Sequence, residues 1–277
     1  MSRPAAGHLV IAGLLASLVL AGCGSSEAVK QVTAEDRFKH AKALFDDKEY
    51  LEAISEFNVI TVQDQGSAFA ADAQFYLAES RFMRGEYLLS AFEYNVLRRS
   101  YPASPRLPES QYKIALSYYN LSPGWPLDQQ YTKKAIDEFQ SFVEYFPKNS
   151  LVPDADAKIK ELNGRLAGKE YQTARLYSTM EYYRAALMSY EEVIEKYHDT
   201  EFAPLAFQGK IELLISRNHY REAGTEIDRF LTRYPNSVLK SRMESLKQTA
   251  DGQIAAGHNV DSNAPPKPIL PAEAPQP

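Results

Sequence analysis

Five stretches of the chain repeat one arrangement of small and large apolar positions. Ala53, Ser90, Ala135, Ala186 and Ala223 are each followed four residues on by a large side chain (Phe57, Tyr94, Phe139, Tyr190, Ile227). Three residues further on stands another: Ile60, Leu97, Phe142, Val193 and Phe230. Residues three and four apart share one face of an α-helix, so each triad predicts the buried stripe of an amphipathic helix. A tyrosine precedes the small residue by three in four of the five (Tyr50, Tyr87, Tyr183, Tyr220), with Thr132 in the remaining one. Three segments close on an aromatic and a proline: Tyr101-Pro102, Phe146-Pro147 and Tyr234-Pro235. Proline lacks the amide donor and clashes with the preceding turn, which ends a helix. The fourth segment has Tyr197-His198 there, and the first closes on Gln63 to Ser67 with neither.

A second set of small residues, Ala41, Ala78 and Ala174, stands twelve positions before Ala53, Ser90 and Ala186, inside segments that also read as helices. Helix, short turn, helix, with small residues where the two approach and an aromatic beside them, is the pattern of the tetratricopeptide repeat. Ala71 to Leu97 fits it best, with Leu77-Ala78, a turn at Gly85, and Tyr87, Ser90 and Tyr94 in place; Gln74 and Arg81 stand where an aromatic is usual. The small positions are 37, 45, 51 and 37 residues apart, so inserts are expected in the third and fourth units. Asn120 to Thr132, holding Pro123, Gly124, Pro126 and the sole tryptophan, Trp125, predicts a loop. A helix is expected from Pro153 to Tyr177, with Asp154 as its cap and a weak point from Gly164 to Gly168. No alternation of apolar and polar residues extends far enough for a strand. The fold class is all-α: a tetratricopeptide superhelix of about five helix pairs, three in residues 34–152 and, after a linking helix, two in 153–257.

The first helix of each pair lines the concave face of such a superhelix. In the register of Ala41 and Ala78, those positions are Phe38, Lys42, Phe45, Phe75, Glu79, Phe82 and Met83. Aromatics and a methionine spaced by polar groups make a candidate groove for an extended peptide with an apolar or aromatic end. The competing assignment for each is core against the neighbouring repeat.

The two ends differ from this middle. Arg3, the apolar run Leu9 to Leu20, and Ala21-Gly22 before Cys23 have the layout of a secretory signal peptide, and the run is shorter than the roughly 20 apolar residues of a membrane span. Leu20-Ala21-Gly22-Cys23 resembles the lipobox of bacterial lipoproteins, which implies cleavage after residue 22 and acylation of Cys23, the only cysteine, by N-acyl and S-diacylglycerol groups. Several acyl chains, at roughly 0.8 kcal/mol per buried methylene, hold a protein stably on a membrane. Gly24 stands where an aspartate would resemble an inner-membrane retention signal, which favours the outer membrane. Residues 23–33 then form a tether. The Pro- and Ala-rich stretch 258–277 is too poor in large apolar groups to offset chain entropy and is expected to be disordered.

Composition narrows the function further. A net charge of −5 argues against a nucleic-acid partner. His8, His40, His198, His219 and His258 have no metal-site spacing, and no Gly-rich phosphate loop or G-x-S-x-G elbow occurs. Adjacent carboxylates such as Asp46-Asp47 and Glu191-Glu192 point to different helix faces. The expectation is a protein without catalytic residues, metal or cofactor other than its lipid.

A lipobox, the unit AKALFDDKEYLEAISEF, and the stretch Asp128 to Ala206 together resemble the BamD (ComL) family of outer-membrane protein assembly factors. The specific pieces are Asp128-Gln129 before Ala135, Tyr145-Phe146-Pro147 with Ser150, and Ala155 to Glu170 with Arg165-Leu166-Ala167 and Lys169-Glu170. The resemblance implies five repeats and a lipid anchor in the periplasmic leaflet of the outer membrane. It also implies two partners: unfolded β-barrel substrates, whose aromatic-ending targeting signals meet the N-terminal repeats, and a BamA-like barrel protein docked on the C-terminal ones. Departures are the missing aromatic-proline pair in the first unit, His198 in place of a proline, and the Pro-rich stretch after His258. The alternative is a periplasmic tetratricopeptide lipoprotein that positions cell-wall enzymes.

Overall fold

A computed structural model describes residues 32–260. The expected leader, nearly all of the tether and most of the 258–277 tail lie outside the described residues. Among them run eleven α-helices and no strand: α1 (Ala34–Asp46), α2 (Tyr50–Gln63), α3 (Ala70–Met83), α4 (Tyr87–Ser100), α5 (Leu107–Leu121), α6 (Gln130–Tyr145), α7 (Val152–Thr179), α8 (Tyr183–Lys196), α9 (Phe202–Ser216), α10 (Tyr220–Arg233) and α11 (Lys240–Ala255). They form five antiparallel pairs and a closing helix. Each helix packs mainly on its chain neighbours, as in other stacked-repeat arrays.

Every member of the five sequence triads is buried, Tyr190 being the most exposed at 4%. They lie on α2, α4, α6, α8 and α10, the second helix of each pair. Tyr50, Tyr87, Tyr183 and Tyr220 each open one of these helices, and Tyr101, Phe146, Tyr197 and Tyr234 cap the ends of four. Four of the five turns within pairs are one motif. Lys48, Gly85, Glu181 and Asn218 have φ between 61° and 76°. The residue after each donates its amide back to the helix: Glu49 to Leu44, Glu86 to Arg81, Tyr182 to Tyr177 and His219 to Leu214, at 2.8–2.9 Å. Such a left-handed close satisfies carbonyls that the helix end leaves unpaired. The third pair has instead the loop from Ser122 to Gln129, where Gln129 Nε2 donates to the carbonyls of Gly124 and Leu127.

The core is four clusters in series: α1–α3 around Phe57, α3–α5 around Tyr94 and Ile114, α5–α7 around Phe139 and Phe142, and α7–α11 around Phe207 and Phe230. The small residue of α5 is Ala115, twenty positions before Ala135, because the loop separates them.

Two expectations about the centre are corrected. No break occurs between Gly164 and Gly168: α7 is one helix of 28 residues, against 13 to 16 for the others. Gly168 lets the Phe202 ring approach closely, since a Cβ on it would stand 3.0 Å from that ring. Asp154 is not the cap. Leu151 occupies that position, and the Asp154 carboxylate accepts from the Tyr112 hydroxyl across to α5.

At Gly209 on α9 an added Cβ would stand 2.6 Å from Tyr190 Cζ on α8, while at Gly224 on α10 nothing lies within 4 Å. Gly209→Ala must therefore displace a ring held in the core and is expected to cost about 1–3 kcal/mol, roughly 3–10 °C in melting temperature. Gly224→Ala is expected to raise it, by up to about 1 kcal/mol of helix propensity. Circular-dichroism melts of both variants check the pair, and an unchanged Gly209→Ala melt would count against the α8–α9 packing.

Candidate functional site

The first helices of the first two pairs carry all seven groove candidates, and stacking divides them. On α1, the Phe38 ring lies 5.8 Å from Phe57, 5.4 Å from Phe69 and 6.1 Å from Tyr76. Phe45, two turns on, lies 5.5 Å from Tyr50 and 5.2 Å from Tyr76. Lys42 stands between them, its ammonium 5.1 Å from the Tyr76 ring centre and 2.7 Å from Asp46 Oδ2. Phe38, Lys42 and Phe45 are half-buried, so part of each side chain faces solvent. Tyr76, next to a candidate but not among them, is the ring the cluster shares.

On α3 two candidates lie in the interior, in the competing position of core against the neighbouring repeat. Phe75 is 3% exposed, packed 5.8 Å from the Tyr94 ring and covered by the Arg106 guanidinium at 4.8 Å. Glu79 is 8% exposed; its carboxylate accepts from the Tyr94 hydroxyl and pairs with Lys113 Nζ at 2.8 Å. Both sit where α3 must cover α4 and α5, so the side chains tie repeats together. Burial first, then the Glu79 carboxylate, hold the Tyr94 hydroxyl well above the usual tyrosine range. Phe82 is half-buried, with Lys113 Nζ 4.7 Å above its ring, and Met83 is 52% exposed. The accessible remainder is the half-buried Phe38, Lys42 and Phe45, which meet at Tyr76, together with half-buried Phe82, which packs on Tyr87 at 5.2 Å, and the exposed Met83 thioether. It suits binding an apolar or aromatic group with an anionic neighbour. Among the described residues no group of His, Cys, Asp or Glu could hold a metal ion, and Cys23 lies outside them.

Around α7 the structure brings together residues the repeat pattern had not joined. Arg165 donates to the Ser122 carbonyl and hydroxyl at 2.9 Å each and to Glu161 at 2.7 Å, and its guanidinium stands 5.3 Å from the Tyr119 ring. Tyr119 donates to Glu161 at 2.7 Å. Burial pushes the Glu161 carboxyl up, but the Tyr119 hydroxyl and Arg165 outweigh it and leave the group below its ordinary value. Beside them a cavity of about 560 Å³ opens between Trp125, Arg165 and Phe202. On α4, Leu88, Leu89 and Phe92 form an exposed apolar patch that no periodicity argument separates from a core stripe.

The last two pairs are cross-linked by charge. Lys210 on α9 bonds Glu191 on α8 and Glu226 on α10, both at 2.7 Å, and Arg229 on α10 bonds Glu191 at 2.9 Å, Glu226 at 3.1 Å and also Glu195. Burial raises the Glu191 carboxyl, but Lys210 and Arg229 together bring it below its ordinary value.

Residues 30–217 match the YfiO family, described as an outer membrane lipoprotein. The chain is similar to the outer membrane protein assembly factor BamD of Rickettsia prowazekii (strain Madrid E), 30% identical over 231 residues that cover 83% of this chain and 92% of that one. It is similar to the outer membrane protein assembly factor BamD of Caulobacter vibrioides, 24% identical over 226 residues, 80% of this chain and 73% of the relative. Among solved structures, the TPR2AB-domain:pHSP90 complex of yeast Sti1 aligns with a TM-score of 0.40 at 18% identity, covering 80% of this chain and 84% of that one. The apo form of RapI aligns at 0.38 and 15% identity, covering 90% and 92%.

The lowered Glu191 carboxyl sets a pH dependence. A group whose folded value lies below its unfolded one stabilises at pH above the unfolded value, here 4.5, and that contribution is lost as pH falls through the folded value. Glu191→Gln is expected to lower the melting temperature at pH 7 by about 1–3 °C, a modest figure because the site is partly exposed and screened. The difference should shrink as pH falls below 4.5 and through the lowered folded value; melts of both proteins from pH 7 downwards measure it.

Proposed function

The chain belongs to the YfiO family of outer membrane lipoproteins, to which it is joined by residues 30–217, and on that premise we propose that it is a non-catalytic, lipid-anchored scaffold of outer-membrane protein assembly. The observation that carries the reading is that the relatives matching most of its length are named for that process. In this reading, acylated Cys23 fixes the protein to the periplasmic face of the outer membrane. Phe38, Lys42, Phe45, Phe82 and Met83 receive the aromatic end of an unfolded β-barrel's targeting signal, with Tyr76 completing the aromatic wall. The last two pairs hold a BamA-like barrel protein.

Physical support comes from what packing leaves free. Lys42, near the Phe45 and Tyr76 rings and paired with the exposed Asp46, can exchange that partner for an anionic group next to an aromatic one. In the second half, Leu176, Met180, Tyr182 and Met188 stay 50–74% exposed around the α7–α8 turn, an apolar surface suited to a protein partner. Phe75 and Glu79 have no direct part: Phe75→Ala would report stability rather than binding.

Depletion in the native cell is expected to lower outer-membrane β-barrel proteins together and to leave unfolded forms in the periplasm. Steady barrels with failing cell shape would turn the reading to a scaffold for cell-wall enzymes. Met83→Glu, at an exposed position, is expected to weaken binding of a peptide with an aromatic end about five- to thirtyfold with the melting temperature unchanged. Wild-type affinity in that variant would remove the groove assignment while leaving the assembly role. Cys23→Ser is expected to lose fatty-acid labelling and leave the membrane fraction, as fractionation of labelled cells would reveal.

A further inference from the structure

A cavity of about 550 Å³ lies where the first turn of α8 meets the α9–α10 turn. Leu213 and Leu214, 7% and 3% exposed, contribute to its lining, together with Tyr183 and Leu187. The Arg217 guanidinium packs over the Tyr183 ring, 4.3 Å from its centre, and both line the cavity. Arg184 and Glu222 give the lining charges of both signs.

The chain arrives beside this cavity after α11. Val260 donates its amide to the Asn218 carbonyl at 2.8 Å, and the Asn259 side chain accepts from the Arg221 amide at 3.0 Å. Asn218 stands between Arg217 and His219, which both line the cavity. The sequence that follows, residues 261–277, contains two large apolar side chains, Ile269 and Leu270, held between Pro268 and Pro271 and preceded by Pro265-Pro266. Lys267 and Glu273 flank them.

We propose that this cavity is an intramolecular receptor for the Pro-rich segment, with Ile269 and Leu270 inserted against Tyr183, Leu187 and Leu213. The reach is sufficient: Ile269 lies nine residues beyond Val260, and a polyproline-like chain rises about 3.1 Å per residue, roughly 28 Å in all. A sequence this rich in proline has few backbone conformations to lose on docking, and aromatic-lined grooves are the usual receptors for Pro-rich sequences. Lys267 and Glu273 match a lining that carries Glu222, Arg184 and Arg217. Attachment gives the segment an effective concentration on the order of millimolar, so a weak intrinsic affinity keeps the site filled. The inference is independent of the assembly role.

The test uses the full chain and a fluorescein-labelled peptide spanning Pro265 to Ala274, followed by anisotropy. Ile269→Ser with Leu270→Ser empties the site without touching a folded element, and this variant is expected to bind the peptide at least tenfold more tightly than the unaltered chain. Adding Arg217→Glu, or Arg184→Glu if the first alters the melting temperature, is expected to abolish the gain. Equal peptide affinity in the unaltered chain and the tail variant would overturn docking of the chain's own segment. No saturable binding to the tail variant, or binding indifferent to both arginine changes, would overturn the cavity as the receptor.

Discussion

Close approach of two short helices at a small side chain is the constraint on which the rest of this structure depends. Helices of 13 to 16 residues are marginal by themselves in water, and a single pair cannot cover both its apolar stripes. Ala41 against Ala53, and Ala78 against Ser90, are fully buried or nearly so, and the Ser90 hydroxyl donates to the Ala78 carbonyl at 3.0 Å. With the backbones that near, the aromatic one turn on (Phe57, Tyr94, Phe139) can reach across to the next pair and make stacking continuous. The array ends where this demand stops. In α11 only Met243, Leu246 and Ala250 are buried, and the opposite face is polar, as a terminal helix needs for solubility.

That constraint explains what could be read from the sequence. Triads at four and three residues announce the second helix of every pair, and all fifteen positions are interior. The first helices were harder, because their apolar residues serve two neighbours. Spacing places Phe75, Glu79, Phe82 and Met83 on adjoining faces of α3, yet it does not say that the first two turn towards Tyr94 and Lys113 while the last remains exposed. The partition depends on Lys113 and Arg106, thirty or more residues away in the chain. Spacing does not mark Tyr76 for a related reason: it follows Phe75 directly, and only the crossing of α1 over α3 makes it the ring that Phe38, Phe45 and Lys42 share.

The centre shows a different limit. Two glycines four residues apart suggest a flexible joint when propensity alone is weighed. Packing reverses that sign in α7, where Gly168 admits the Phe202 ring and the Arg165–Glu161–Tyr119 set ties the helix back to α5. Leu162 belongs to the core cluster before it and Ala167 to the one after. One uninterrupted helix is thus built into both halves of the array, which makes their relative orientation a property of packing rather than of a linker.

An array of this kind acts through whatever its own stacking does not consume. In the first two pairs the rings largely pack on one another and leave Phe38, Phe45 and Phe82 half-buried, with the Lys42 ammonium near Phe45 and Tyr76 and Met83 exposed at the end of α3. In the last two, carboxylates pair with Lys210 and Arg229 across α8, α9 and α10, and Leu176, Met180, Tyr182 and Met188 stand exposed around the α7–α8 turn. Cation and aromatic faces select for shape and charge, whereas methionines adapt to varied apolar partners. The two surfaces differ in chemistry, and the unbroken packing of each helix on its neighbours from the first pairs through α7 to the last fixes their separation.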